Sequence, residues 1–446
     1  MSAEIITILA LVVIFAIATI LPINMGALAF VAAFVVGTLS VGLTTDDIIA
    51  GFPAGLVLTL IGVTYLFAIA QNNGTVDLLV RGAVKLVGGH VAAIPWIMFF
   101  VTAVLTAIGA LSPAAVAIIA PIALTFAARH DISPLLMGMM VIHGAQGGGF
   151  SPISVYGVTV NTIVEGEGLP SSPLAVFLGA LFFNIAIALV LFFVLGGRKL
   201  IGRKVVAQPL EHAEHAAHGT VVRGHGSAVG GDSGDDTAGH GPSSAPRPVR
   251  FEQILTLVGL VVVAVLALAF DLDIGFVAIT VAVVLALFSA AQHKGAVSQI
   301  SWSTVLLIAG VLTFVSVLQE AGTIDYVGDA VIGLGVPLVI ALLLAYIGGV
   351  VSAFASSTAI IGVAILLAVP FLEAGAISAV GVVVALSVAS TIVDVSPFST
   401  NGALVLAAAQ DVDKDRFYKQ ILGYATIVVA VGPLLAWLVF VVPGWL

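Results

Sequence analysis

The fold is decided by two short stretches, SPISVYG at residues 151–157 and SPFSTNG at residues 396–402, which are versions of one another 245 residues apart. Each interrupts a long apolar run. The same offset carries Ser112 onto Ser357, and an offset of 248 aligns GVTYLFAIAQNNGTVD, ending at Asp77, with GVLTFVSVLQEAGTID, ending at Asp325. The sequence therefore predicts an internal duplication whose corresponding membrane spans are broken. This pattern is typical of secondary transporters with a site near the membrane midplane.

The composition predicts an integral membrane protein. Hydrophobic residues make up 61% of the 446 residues and charged residues only 8%, whereas soluble domains are roughly half apolar and a quarter charged. The chain has no cysteine, so disulfides and thiolate metal sites are excluded. No Lys or Arg precedes the apolar segment 5–20, which we interpret as a retained helix rather than a cleaved leader.

The apolar runs predict an all-α polytopic fold of two inverted repeats, each with five transmembrane helices and a re-entrant hairpin. A span needs about 20 helical residues. The pieces 92–110 and 114–128 fit either two spans or one hairpin with its tip at Ser112, and the shortness of the second piece favours the hairpin. An odd number of crossings per repeat inverts the second repeat relative to the first.

The predicted organisation has three parts. The first repeat is residues 1–200, and its scaffold spans within 4–71 are 4–21, 26–43 and 53–71. An interfacial helix follows at 75–90. The hairpin and transport helices within 92–196 are the hairpin 92–128, the broken span 135–162 and the span 174–195. Residues 201–250 form a flexible linker rich in Gly and His. The second repeat is residues 251–446, and its scaffold spans within 252–319 are 252–270, 274–291 and 303–319. An amphipathic piece follows at 323–334. The hairpin and transport helices within 336–442 are the hairpin 336–371, with its tip at Ser356-Ser357-Thr358, the broken span 377–409 and the span 419–442.

The charge distribution predicts the orientation. With the hairpins counted as re-entrant, all 14 Lys and Arg residues fall on one side, whereas Asp46, Glu165 and Asp271 fall on the other. Cytoplasmic loops carry the excess of Lys and Arg. We therefore expect a multi-pass protein of the inner cell membrane with both termini outside and the 201–250 linker in the cytoplasm. The linker histidines His212, His215, His218, His225 and His240 are interpreted as part of a solvated linker, with a weak metal site as the alternative.

The two breaks carry the polar groups that can bind a solute. The predicted spans contain no Lys or Arg, so an anion would be met by helix N-termini, by hydroxyl and amide donors, or by cations bound beside it. Pro152 and Pro397 cannot donate an N–H group and each leaves an upstream carbonyl unpaired. The alternative interpretation is two structural kinks packed by small residues. The hydroxyl and amide groups at the breaks are Ser151, Ser154, Tyr156, Asn161, Ser396, Ser399, Thr400 and Asn401.

Asp394 is the one acid that the sequence places within a span, two residues before Ser396. Intramembrane acids are costly and usually bind a cation or carry a proton. The alternative is a structural acid hydrogen-bonded to a neighbouring helix. His143, within the first broken span, is either a packed polar residue or a proton relay.

The layout of these motifs resembles the ion transporter superfamily, in particular the divalent anion/sodium symporters and the MatC-type dicarboxylate carriers, over nearly the whole chain. In that family the hairpin tips carry Ser-Asn-Thr, which binds sodium and substrate carboxylate. The positions here read Ser112-Pro113-Ala114 and Ser356-Ser357-Thr358. Neither tip has the Asn, and Asn401 is the amide expected to replace it.

The resemblance implies a sodium-coupled importer of a small dicarboxylate such as malonate or succinate, working as a homodimer by an elevator motion, with sodium as coupling ion and no other cofactor. A sodium/proton antiporter of the same fold that uses Asp394 is the alternative, and neither an enzyme nor a channel is expected. The expected substrate-binding residues are Ser112, Ser154, Tyr156, Ser357, Thr358, Ser399, Thr400 and Asn401. The expected sodium-binding residues are Ser112, Gly147, Gly149, Ser151, Ser356, Asp394 and Ser396.

Overall fold

A computed structural model describes most of the chain, and its regular secondary structure is helical. The described residues are 2–21, 23–76, 78–79, 82, 90–204, 250–270, 272–288, 294–324, 326–327, 336–353, 357–373, 375, 377–409 and 412–446. Six helical segments within these ranges are long and apolar enough to cross a membrane: Ala54–Asn72, Ser112–His130, Pro173–Val194, Trp302–Glu320, Ala379–Ala408 and Lys414–Phe440. The all-α polytopic architecture expected from composition is therefore confirmed.

Nine α-helices of the first half lie wholly within the described residues. They are α1 (Ala3–Ile20), α2 (Met25–Val36), α3 (Thr45–Ala50), α4 (Ala54–Asn72), α5 (Ala93–Ala107), α6 (Ser112–His130), α7 (Pro134–Gly148), α8 (Val155–Gly166) and α9 (Pro173–Val194). The end of α2 widens into a π-helical turn, Gly37–Val41, so the predicted span 26–43 is not uniformly α-helical.

The second half follows the same order, with a short 3₁₀ helix, Ala296–Gln299, at the place that α3 has in the first half. Its helices are α10 (Phe251–Ala269), α11 (Ile274–Phe288), α12 (Trp302–Glu320), α13 (Pro337–Ser352), α14 (Ser357–Glu373), α15 (Ala379–Ile392), α16 (Thr400–Ala408) and α17 (Lys414–Phe440). A 3₁₀ turn, Val393–Val395, extends α15 into the second break. The duplicated order of elements supports the internal duplication, while the opposite orientation of the two repeats stays a prediction.

The early spans of the two halves pack across each other through glycines. α2 lies against α12, and α4 lies against α11. A Cβ atom at Gly26 would overlap the carbonyl of Leu306, and one at Gly310 would overlap the carbonyl of Gly26. At the equivalent positions, Gly275 approaches the backbone of Thr59, and Gly62 approaches the carbonyl of Gly275. Small residues allow membrane helices to approach this closely.

The broken helices form the centre of the later helices in each half. α7 packs against α5, α6 and α9, and α15 packs in the same way against α13, α14 and α17. The two groups also cross-pack, because α6 contacts α16 and α14 contacts α8. Ser151 and Ser154 of the first break and Ser396 and Ser399 of the second are buried, whereas Phe398 of the second break is exposed. Irregular backbone at membrane depth needs such burial in protein or a water-filled cavity.

Several predicted segments fall wholly or mainly outside the described residues. They are most of the interfacial helices expected at 75–90 and 323–334, residues 205–249 of the linker, and Ser356 at the second hairpin tip. The side chain of Thr358 is likewise outside the description. Predictions for these residues stay predictions.

Candidate functional site

The first break lies between α7 and α8, at residues 149–154. Ser154 is the N-cap of α8, and its Oγ accepts a hydrogen bond from the Gly157 N–H at 3.3 Å. The same hydroxyl lies 2.7 Å from the Ser151 carbonyl oxygen and also bonds the Gly149 carbonyl. One side chain therefore satisfies backbone groups on both sides of the turn.

The second break repeats most of this pattern at the 245-residue offset, but the Ser399 side chain makes no cap hydrogen bond to α16. The Ser399 hydroxyl lies 2.7 Å from the carbonyl oxygens of both Asp394 and Ser396. The backbone turn is also the same, because Ser399 N–H bonds the Ser396 carbonyl at 3.0 Å and Ser154 N–H bonds the Ser151 carbonyl at 2.8 Å. The two sequence motifs thus fold into one local structure.

Local sequence explains why the helices break at these positions. Proline at the second position of each motif cannot donate to the preceding turn, and serine three residues after the first serine is a favoured N-cap for the new helix. The new helices α8 and α16 begin inside the protein, so their first N–H groups and partial positive charge point into buried space. An anion can be stabilised there without a basic side chain.

The first hairpin tip reaches the opposite half of the chain. Ser112 begins α6, and its Oγ lies 2.8 Å from the Asn401 Nδ2 in the first turn of α16. Both side chains are buried. The Oδ1 of Asn401 has no hydrogen-bond partner among the residues that the structure describes. A tip from one half and a post-break helix from the other therefore share one polar contact.

The second tip contacts the acid of its own half. Ser357 begins α14, and its hydroxyl donates to Asp394 Oδ2 at 2.5 Å. Asp394 is only 5% exposed, and within the described ranges it is the one buried Asp or Glu, with no Lys or Arg buried. Its carboxyl group is therefore available to a cation or a proton rather than committed to a salt bridge.

A buried glutamine joins the two broken helices. Gln146, in the last turn of α7, donates its Nε2 to the Thr391 carbonyl in α15 at 2.8 Å. These positions are themselves 245 residues apart, so each is the counterpart of the other under the duplication. Two equivalent positions touch where a pseudo-two-fold axis would pass. The contact between α7 and α15 just before the two breaks, called the seam below, therefore contains a buried side-chain amide.

His143 lies one turn before Gln146 in a buried polar network. Its Nδ1 is 2.9 Å from Asn184 Oδ1, and its Nε2 is 2.6 Å from the Tyr424 hydroxyl. Asn184 donates its own Nδ2 to the Ala180 carbonyl at 2.9 Å, so its Oδ1 must accept. The hydrogen of a neutral His143 ring therefore resides on Nδ1, and Nε2 accepts from Tyr424. Both ring nitrogens are satisfied without a transported ion, which favours the packed polar residue over the proton relay.

The structure brings most of the predicted residues into buried positions around the breaks and tips. Thr400 differs, because its side chain is exposed at the start of α16. Tyr156 is buried with its ring 5.5 Å from that of Phe150. The binding roles of all these residues stay predictions. The buried members of the set are Ser112, Gly147, Gly149, Ser151, Ser154, Tyr156, Ser357, Asp394, Ser396, Ser399 and Asn401.

Sequence reasoning overlooked three residues of this region: Gln146, Asn184 and Tyr424. Gln146 and Asn184 are polar amides within apolar runs, and that signal alone marks a candidate site in a membrane protein. Tyr424 gave no such signal, because Tyr is also an ordinary residue near span ends. Its contact with His143, 281 residues away, exists only in the folded chain.

Comparisons with known proteins agree with this architecture. Residues 1–149 match the family model of the dicarboxylate carrier protein MatC N-terminus. The fold is similar to that in a crystal structure of the Alcanivorax borkumensis YdaH transporter, described as having an unusual topology; the likeness covers 93% of this chain and 96% of that one, at 14% identity and a TM-score of 0.57. No curated protein sequence matches. Residues 1–149 of this polytopic membrane protein are thus similar to the N-terminus of the dicarboxylate carrier protein MatC, and nearly the whole chain has a fold similar to that of the YdaH transporter.

Proposed function

We propose that this protein is a secondary active transporter that imports a small dicarboxylate, malonate-like or succinate-like, together with sodium. The observation that carries the proposal is the buried convergence of two matched helix breaks with a serine at the start of each hairpin's second helix. The match of residues 1–149 to the MatC model supports the substrate class. The fold similarity supports transport over catalysis.

The chemistry of the breaks suits a dianion and a hard cation. The N-terminal turns of α6, α8 and α16 offer N–H groups and partial positive charge to carboxylates. Hydroxyl, amide and carbonyl oxygens, with the Asp394 carboxyl, are the ligand types that sodium shares with other hard cations. Because no Lys or Arg is buried among the described residues, a cation bound beside the substrate would neutralise part of its charge. That requirement links substrate uptake to the cation gradient.

The proposed mechanism is an elevator motion in a homodimer. Helices α5–α9 and α13–α17 would move as a unit that contains both breaks, past a scaffold of α1, α2, α4 and α10–α12. The packing supports this division, because the breaks lie within the first group whereas the glycine contacts of α2 with α12 and of α4 with α11 lie within the second. Sodium coupling, dimerisation and the motion itself belong to the proposal.

A second candidate function rests on Asp394. A buried acid with no basic partner also suits a sodium/proton antiporter, in which the same carboxyl binds sodium and a proton in turn. Such a protein would need no organic anion. The Ser357 contact is compatible with both functions, since a hydroxyl can donate to a carboxylate or accept from a carboxylic acid.

Transport by purified protein in liposomes distinguishes these functions. A panel of radiolabelled di- and tricarboxylates is offered with an inward sodium gradient, and with choline in place of sodium as the control. We expect uptake of malonate or succinate only with sodium. Sodium flux that is driven by a pH gradient in the absence of any anion would identify the antiporter instead. Absence of dicarboxylate uptake under every gradient would contradict the substrate class.

A further inference from the structure

The two polar atoms of the Gln146 carboxamide, Nε2 and Oε1, differ in their hydrogen bonding. The side chain is fully buried, and its Nε2 donates to the Thr391 carbonyl at 2.8 Å. Its Oε1 is buried and has no hydrogen-bond partner within the described part of the chain. Buried polar atoms are almost always paired, so this oxygen calls for an explanation.

The orientation of the Gln146 amide follows from its partner. Thr391 offers a carbonyl, which can only accept, so the NH₂ end must face it and the oxygen must face away. Asn401, the other buried amide with an unpaired oxygen, lacks this constraint, because the Ser112 hydroxyl can either donate or accept. Of the two amides, Gln146 therefore has the better determined free acceptor.

The side chain of the neighbouring histidine interacts with Gln146, but it donates no well-formed hydrogen bond to Gln146 Oε1. His143 is the polar side chain one turn away on the same helix, but its single ring hydrogen is directed to Asn184 Oδ1 and its other nitrogen accepts from Tyr424. The Tyr424 hydroxyl donates to His143, and one of the two Nδ2 hydrogens of Asn184 is donated to the Ala180 carbonyl. Neither residue donates a hydrogen bond to Gln146 Oε1.

We propose that Gln146 Oε1 is a direct ligand of the coupling cation, held at the seam where the two broken helices cross. The position suits that role, since Gln146 lies three residues before the first break and bonds a carbonyl two residues before the Val393–Val395 turn of the second. A neutral amide oxygen is a suitable ligand for sodium. The Nε2 bond to Thr391 would hold this ligand at a fixed place relative to both halves. The inference rests on the proposed sodium coupling and adds a residue that the family's tip motif does not contain.

Sodium binding to the purified, full-length protein tests this role. The midpoint of thermal unfolding is measured against NaCl, with choline chloride keeping the ionic strength constant, because a ligand that binds only the folded state raises the midpoint according to its affinity. Gln146→Met removes the oxygen at nearly constant volume. Gln146→Glu keeps an acceptor but loses the donor to Thr391. Ser387→Ala is the matched control, since Ser387 is also buried in this region with an unpaired hydroxyl but lies well before the break.

We expect Gln146→Met to raise the apparent sodium dissociation constant about tenfold or more, as losses around metal ligands commonly do. Gln146→Glu should lower that constant, because a carboxylate replaces a neutral oxygen ligand, and Ser387→Ala should leave it unchanged. A Gln146→Met variant with wild-type sodium affinity would overturn the proposal. If that variant does not fold, Gln146→Glu decides: a lower midpoint in both salts with unchanged sodium affinity would show a purely structural amide. A wild type that sodium does not stabilise would contradict the sodium-coupled function itself, and with it this inference.

Discussion

At the scale of single residues, Asp394 is the one buried acid among the described residues, and its charge is costly to bury. A charged side chain at the centre of a membrane costs about 2.5–3.5 kcal/mol on insertion scales. One hydrogen bond to a charged group contributes about 1.5–3 kcal/mol, so the Ser357 hydroxyl offsets only part of this cost. A bound sodium ion would offset the remainder. Under the proposed sodium coupling, Asp394 and the second hairpin tip would respond to the same bound ion.

Asp394→Asn is therefore expected to weaken sodium binding by about tenfold or more while the fold stays intact. Ser357→Ala should have a smaller effect, because it removes a neighbour of the carboxyl and not the charge. Sodium binding is measured on the purified variants at several pH values, with and without dicarboxylate. Asp46→Asn, at an exposed acid outside the site, serves as the control. Proton release by the wild type on sodium binding without an anion would favour the antiporter.

At the scale of elements, the breaks depend on two glycines that allow a helix to begin directly on the preceding turn. A Cβ atom on Gly157 would overlap the Ser151 carbonyl, and one on Gly402 would overlap the Ser396 carbonyl. Because glycine has no side chain, the backbone of the break can pass close to each of these positions. The breaks are thus built by Ser, Pro and Gly together, each for a different reason.

Gly157→Ala and Gly402→Ala are each expected to lower the free energy of unfolding by about 1–3 kcal/mol, the usual cost of overpacking. Gly166→Ala, in the same helix as Gly157, is the control, because no atom lies within 4 Å of a Cβ there. That change should be neutral or slightly stabilising, since Ala favours helix over Gly by about 1 kcal/mol. Chemical denaturation in detergent measures all three. Equal stabilities for Gly157→Ala and Gly166→Ala would show that the turn relaxes at little cost.

At the scale of the whole molecule, the contacts between loops agree with the sidedness expected from the charges. Arg203 donates to the carbonyl of His130 at 3.0 Å, and both residues lie in loops predicted to be cytoplasmic. Gln319 donates to Glu167 at 2.9 Å, and both lie at ends predicted to be outside. Contacts of this kind fix which ends share a side. Which of the two sides faces the cytoplasm stays a prediction from the Lys and Arg distribution.

Thiol labelling of this cysteine-free chain tests the orientation. Single cysteines at Asp46, Glu165 and Asp271 should react in intact cells with a membrane-impermeant reagent, whereas cysteines at Ser227 and Lys294 should react only after the membrane is opened. Detergent-permeabilised cells provide the control that each cysteine is reactive. Labelling at Ser227 from outside would require a different topology.

The sequence by itself determined the membrane class, the duplication and the positions of the two breaks. These features depend on local chemistry: long apolar runs, prolines without an N–H group, and serines that cap a following helix. The order of spans was likewise readable, because each span needs a certain length of apolar chain. The same reasoning identified Asp394 as the buried acid, since an acid within an apolar run is visible without a structure.

Only the tertiary structure decided which polar groups meet. Both tips begin with a serine in a similar setting, yet Ser112 contacts Asn401 of the other half, whereas Ser357 contacts Asp394 of its own. The pairing of Gln146 with Thr391 and of His143 with Tyr424 was equally invisible. Such contacts depend on how helices cross, which is set by the summed packing of many side chains and not by any local pattern. The duplication predicts two similar arrangements, and the packing of two unequal sequences makes them different.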